Sequence, residues 1–232
     1  MDPRTATPEY KLESPVSVNE KRRGLRKILL ICGMVSPLLY IAMFLFIPAL
    51  YEGYHPASQT VSELSAVGAP TRSLWFVLGT IYTLLIAAFG LGIRQSARQN
   101  RTLRTLGTLI FASGIIGLAW SPMHQREVLA AGGGTFTDTW HLVMSGITLL
   151  LMLLIIGYGA AAFGKMFRWY SLVSIALFLV FGILTGLEAP AVQANQPTPM
   201  IGVWERINIG VYMIWLVVAA AILLRREKLP RG

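Results

Sequence analysis

Ile28-Leu29-Leu30-Ile31-Cys32-Gly33-Met34-Val35-Ser36-Pro37-Leu38-Leu39-Tyr40-Ile41-Ala42-Met43-Phe44-Leu45-Phe46-Ile47-Pro48-Ala49-Leu50 contains no charged side chain. About 20 apolar residues in a helix cross a bilayer's hydrocarbon core, so this run has the length of a membrane span. It is longer than the roughly 7–15 residues of a signal-peptide core, and no small-x-small cleavage site follows it, which favours a retained helix. Pro37 is expected to kink it, because a proline inside a helix removes one backbone hydrogen bond. Five further runs have the same character: Leu74–Ile93, Thr105–Trp120, Leu142–Phe163, Tyr170–Leu187 and Ile207–Leu224.

Composition agrees. Hydrophobic residues make up 54% of the 232, charged residues 13%, and mean hydropathy is +0.59, too apolar for a water-soluble domain of this size. The expected fold is therefore an all-α membrane protein, a six-helix transmembrane bundle. Residues 1–27 are read as a flexible basic tail, 28–224 as the membrane domain and 225–232 as a basic C-terminus. Small residues recur in the third run, with Gly107, Ala112, Ser113, Gly114 and Gly117 letting neighbouring backbones approach closely. The single cysteine, Cys32, lies in the first run and cannot form an internal disulfide.

Sidedness follows from the basic residues. Seventeen of the twenty Lys and Arg fall in the two termini and in the loops 94–104 and 165–169, which puts both termini on the cytoplasmic side of the cell membrane. The net charge of +9 is thus a topology signal, and no nucleic-acid partner is expected. A basic run such as Lys21–Lys27 can also rest against anionic lipid head groups. The remaining three cations, Arg72, Arg126 and Arg206, share the outer loops with six of the eleven acids and all three histidines.

The candidate site lies in those outer loops. In the first, Tyr54 to Pro70, Thr60-Val61-Ser62-Glu63 fits a capping box, and Ser62, Glu63 and Ser65 alternatively present hydroxyls and a carboxylate to a pocket. His55 beside Pro56 reads either as a turn residue or as a ligand. In the second, His124-Gln125-Arg126-Glu127 precedes Gly132-Gly133-Gly134 and Thr137-Asp138-Thr139-Trp140-His141. Asp138 suits the N-cap of the fourth span; should that helix begin a turn earlier, Asp138 and His141 share one face and can share a proton or a metal. In the third, Glu188 and Trp204-Glu205-Arg206 supply carboxylates and a guanidinium, either as an ordinary ion pair or as a grip on a lipid phosphate.

Tyr-His-Pro…Ser-Glu-Leu-Ser-Ala-x-Gly-Ala-Pro after the first span resembles the bacterial membrane-protein family called domain of unknown function 998. So do Pro122-Met123-His124-Gln125-Arg126 after the third, Asp138 and His141 leading into the fourth, and Trp204-Glu205-Arg206-Ile207 leading into the sixth. That resemblance, over about residues 28 to 224, implies a six-helix integral membrane protein and no particular activity. A fainter similarity is to the superfamily of metal-dependent membrane hydrolases that includes alkaline ceramidases, whose paired His-x-x-x-His this chain lacks.

Three function classes follow. One is a membrane protein that binds a lipid or a partner through the outer cluster, with Tyr54, Arg126, Glu205 and Arg206 as binding residues. Another is a hydrolase of a lipid or lipid-linked substrate: His55, His124 and His141 would hold zinc, with Ser62, Glu63 and Asp138 as catalytic groups. The third is a transporter, disfavoured because none of the six span cores contains Asp, Glu, Lys, Arg or His.

Overall fold

The structure, a computed structural model, describes residues 15–228. The expected tail residues 1–14 and the last four, 229–232, lie outside the described residues. Among the described residues seven helices follow in order: α1 (Pro15–Phe46), α2 (Arg72–Ser96), α3 (Arg101–Gly117), α4 (Arg126–Ala130), α5 (Phe136–Ala162), α6 (Lys165–Gln193) and α7 (Ile201–Lys228). Two 3₁₀ turns, Ile47–Leu50 and Val61–Ser65, fall between α1 and α2. Among the described residues there is no strand, only an isolated bridge between Val67 and His124.

Five helices, α1, α2, α5, α6 and α7, are long and apolar enough to cross a membrane. α3 has 17 residues, about 25 Å at a rise of about 1.5 Å per residue, somewhat short of a hydrocarbon core of about 30 Å. It is nonetheless built into the bundle. α1 packs on α2, α2 on α3, α3 on α5, α5 on α6, α6 on α7, and α7 returns to α1, closing a ring of six. Trp215, Tyr212, Phe89, Phe178, Leu106 and Ile110 are fully buried among these helices. Two of the polar groups buried with them are paired: Trp215 Nε1 donates to Ser171 Oγ at 2.9 Å, and Asn208 Nδ2 to the Phe178 carbonyl at 2.5 Å.

The closest helix approach is α2 against α3, at small residues that include two expected from the sequence. A Cβ on Gly90 would lie 2.3 Å from the Phe111 nitrogen, and one on Gly114 would lie 2.6 Å from that of Ala87. Gly107 meets the Gly90 carbonyl in the same way. With no hydrophobic drive between helices in lipid, such backbone proximity is what holds them together. α5 and α6 keep long rows of Leu, Val and Ile exposed on the outside of the ring, as lipid contact requires.

Two boundaries differ from expectation. The flexible tail read up to residue 27 is helical from Pro15, continuous with the first span. Once a long span is formed each added residue costs little to order. Arg23 Nη2 donates to the Glu227 carbonyl and Arg26 Nη2 to the Glu227 carboxylate, both at 2.7 Å, tying this extension to the end of α7. α5, in turn, begins at Phe136, ahead of the expected Leu142. α1 runs unbroken through Pro37.

Candidate functional site

All three long loops meet at the end of the ring opposite Arg23, Arg26 and Glu227, and one ion pair joins them. Thr60 caps the 3₁₀ turn Val61–Ser65: its hydroxyl accepts from Glu63 N, and the Glu63 carboxylate accepts from Thr60 N at 2.6 Å. That is the capping box expected from the sequence. The same carboxylate takes a forked pair of bonds from Arg126 at the start of α4, Nε to Oε1 at 2.6 Å and Nη2 to Oε2 at 2.9 Å. Glu63 is 4% exposed and Arg126 8%, so the pair is shielded from water. Arg126 Nη1 donates to Thr198 Oγ1 at 2.7 Å and Nη2 to the Ser58 carbonyl at 2.9 Å, while the Thr198 hydroxyl donates to that same carbonyl. One guanidinium thus binds the first loop to the third.

α7 contributes a second set of ties to the first loop. Glu205 accepts from Val61 N, capping the 3₁₀ turn from outside. Arg206 donates to the Pro56, Gln59 and Gly202 carbonyls and, through Nη2, to Tyr54 Oη at 2.7 Å. Tyr54 Oη donates to the Thr60 carbonyl at 2.7 Å. Burial raises the Tyr54 phenol above its usual range even with Arg206 beside it, so it stays a donor. Gly202 is required here: a Cβ would stand 2.2 Å from the Pro56 carbonyl oxygen and 2.3 Å from that of Gln59.

The histidines go to three places. His55 is exposed on the first loop, where its backbone N donates to Gln59 Oε1 at 2.7 Å. His124 Nδ1 donates to Asp138 Oδ2 at 2.8 Å, and its backbone N donates to Oδ1 at 2.6 Å. Since the carboxylate can only accept, Nδ1 carries the proton. His141 is 5% exposed, donates from Nδ1 to the Ser121 carbonyl at 2.7 Å and sets its ring edgewise to Trp120 at 4.8 Å. Among the described residues no group of three His, Cys, Asp or Glu side chains is placed to hold a metal. The zinc set expected from His55, His124 and His141 therefore does not fit, and the expected sharing between Asp138 and His141 is replaced by Asp138 with His124. Nor is Asp138 the N-cap: Thr135 holds that position and Asp138 completes its capping box three residues on. Ser62 accepts from Ser65 Oγ through its carbonyl at 2.9 Å.

Above the Glu63–Arg126 pair lies a cleft of two lobes. The narrow lobe, about 200 Å³, is walled by Tyr51, Glu52, Gln59, Gln125, Glu127 and the pair itself. A wider one, about 440 Å³, continues from it past His55 and Ser58 to Asn195, Gln196 and Thr198. Sequence reading missed Glu52, Gln59, Gln125, Glu127 and Thr198. Their only signal was proximity in the chain to Glu63 and Arg126, and for Thr198 its seat between Pro197 and Pro199.

A ring of long apolar helices capped at one end by interlocked polar loops defines a helical protein of membrane type. The chain belongs to the DUF998 family, described as a protein of unknown function, which it matches over residues 34–222. That match runs from within α1 to within α7 and takes in all three loops of the cleft. No curated protein and no solved structure matches it.

Proposed function

We propose that the chain is a six-span protein of the cell membrane, with both termini cytoplasmic, that binds a lipid or other small ligand by its polar head in the cleft on the outer face. Parity supports six spans. The loop after α1, the loop after α3 and the loop after α6 share the Glu63–Arg126–Thr198 contacts, so α2 and α3 together make a return trip and α3 crosses with its partner. The distribution of Lys and Arg supports the orientation, since the opposite end holds Arg94, Arg98, Arg101, Arg104, Lys165 and Arg168.

The observation that carries the binding reading is that all three loops contribute walls to one cleft over a buried ion pair. A preformed concave site with convergent polar groups is the usual geometry for a small ligand. A zinc-dependent hydrolase is not carried forward, because the donors do not converge.

The test has two arms. In a Cys32→Ala background, a membrane-impermeant thiol reagent should label Glu127→Cys in intact cells and Arg101→Cys only after permeabilisation; labelling of both from outside would overturn the orientation. Native mass spectrometry of the full chain extracted with its lipids should then show a molecule retained by the wild type and lost from Gln196→Trp, which fills the wide lobe. Identical bound species in the two would overturn the binding reading.

A further inference from the structure

The charge of the cleft selects its ligand. Four ionised side chains line the two lobes: Glu52, Glu63, Glu127 and Arg126. Glu63 and Arg126 cancel each other through their forked bond, and two more of the five Arg126 N–H groups go to Thr198 and Ser58. An anionic head would find a guanidinium already neutralised by Glu63, with a single Nη1 hydrogen left to offer. Arg72 and Arg206 line neither lobe, and the Nη atoms of Arg206 are taken by three carbonyls and Tyr54. Among the described residues, Glu52 and Glu127 meet no Lys or Arg within ion-pair distance. A chain of net charge +9 thus presents a cleft with two uncompensated negative charges.

Size and wall chemistry narrow the class further. A volume of about 200 Å³ is below the roughly 300–1,000 Å³ of pockets for drug-sized molecules, so the narrow lobe suits a group of a few heavy atoms. Tyr51 forms one wall, stacked on Tyr54 at 5.6 Å, and supplies the aromatic surface that attracts cations. Gln59 and Gln125 add amide groups to the same lobe, and Gln125 Nε2 donates to Tyr51 Oη at 3.2 Å. The wide lobe leaves room for the remainder of a longer molecule.

We infer that the narrow lobe takes a primary ammonium group, held between the Glu52 and Glu127 carboxylates with Tyr51 at its wall. The inference rests on the binding reading above and names the ligand class of that cleft. Two carriers share this chemistry: the ethanolamine head of an aminophospholipid, and a free amine such as putrescine.

The experiment uses the full chain in detergent and in nanodiscs. One arm compares retention of phosphatidylethanolamine, its N-acetylated derivative and phosphatidylglycerol by native mass spectrometry. The other measures binding of putrescine against 1,4-butanediol, of similar length and uncharged, by saturation-transfer NMR. Ammonium compounds should bind in preference to their uncharged partners, and the arm that responds identifies the carrier. Glu52→Gln and Glu127→Gln should each weaken binding about five-fold, the equivalent of about 1 kcal/mol for one exposed charge at close range. Glu20→Gln, at the opposite end, should leave it unchanged, and Gln196→Trp should weaken the lipid arm.

Binding that Gln196→Trp blocks but that ignores the ammonium charge and both Glu→Gln changes would overturn the ammonium assignment while leaving the cleft a binding site. Absence of any cleft-dependent ligand in either arm would overturn both.

Discussion

Arg126→Ala is the most demanding single test of how the loops are held. The substitution removes two bonds to Glu63, one to Thr198 and one to the Ser58 carbonyl, all within 2.6–2.9 Å. Removing one partner of a buried ion pair costs about 3–5 kcal/mol, because the other charge is left without its counter-ion. Glu63 is not left bare: Thr60 N, Thr60 Oγ1 and Gln59 Nε2 still donate to it. The expected cost therefore sits at the low end, about 3 kcal/mol. Glu63→Ala should cost a similar amount, about 1 kcal/mol of it from the lost cap. Because each single change strands the other partner, the double variant should cost less than the two singles together by at least about 2 kcal/mol. Reversible unfolding in mixed detergent micelles, followed by tryptophan fluorescence, measures all four corners of that cycle. Hydrogen exchange should quicken at Ser58–Val61 and at Thr198–Gly202 in both single variants. Strictly additive costs, or exchange that quickens only around α4, would refute the claim that this pair joins the first loop to the third.

Gly202→Ala should destabilise the loop end by about 1–3 kcal/mol, since its Cβ meets two backbone carbonyls that cannot swing aside; a melting temperature unchanged from wild type would count against the packing. Gly90→Leu should separate α2 from α3 and lower stability more than Gly79→Leu, whose added Cβ meets nothing within 4 Å; equal melting temperatures would exclude the close approach. Asp138→Asn should cost about 1–2 kcal/mol by weakening both the Thr135 capping box and the His124 bond, read from the same unfolding assay, with exchange quickening at His124. Zinc or EDTA should shift the unfolding midpoint of the wild type no more than that of the His124→Ala, His141→Ala double variant, because the histidines do not converge.

Membrane character was legible because it is written locally. Each apolar run announces its own helix, and α1, α2, α5, α6 and α7 all lie over runs read as spans. The capping box at Thr60 and Glu63 was legible for the same reason, being a four-residue pattern. What the sequence could not show was choice between distant partners. Glu63 and Arg126 stand 63 positions apart and Arg26 and Glu227 stand 201 apart, so no periodicity connects them. The helical extension from Pro15 was hidden likewise: its residues are polar and lack an apolar face, and its anchor is at the far end of the chain. The zinc expectation failed on convergence. Three histidines in neighbouring loops look like a ligand set until the structure gives His124 to Asp138 and His141 to the Ser121 carbonyl.

The floor of the cleft and the lock of the loops are the same residues, and this links ligand binding to stability. Glu63, Arg126, Gln59 and Thr198 line the two lobes while joining the first loop, α4 and the third loop. A ligand seated there binds only the assembled state, so at 100 times its dissociation constant it adds about 2.7 kcal/mol to that state. That is close to what Arg126→Ala is expected to remove. A saturating ligand should therefore raise the unfolding midpoint of the wild type by an amount comparable to the loss in that variant. The variant, its walls loosened, should recover less than the wild type gains. The stability of the loop end is thus itself an assay for occupancy, usable before the ligand's full structure is known.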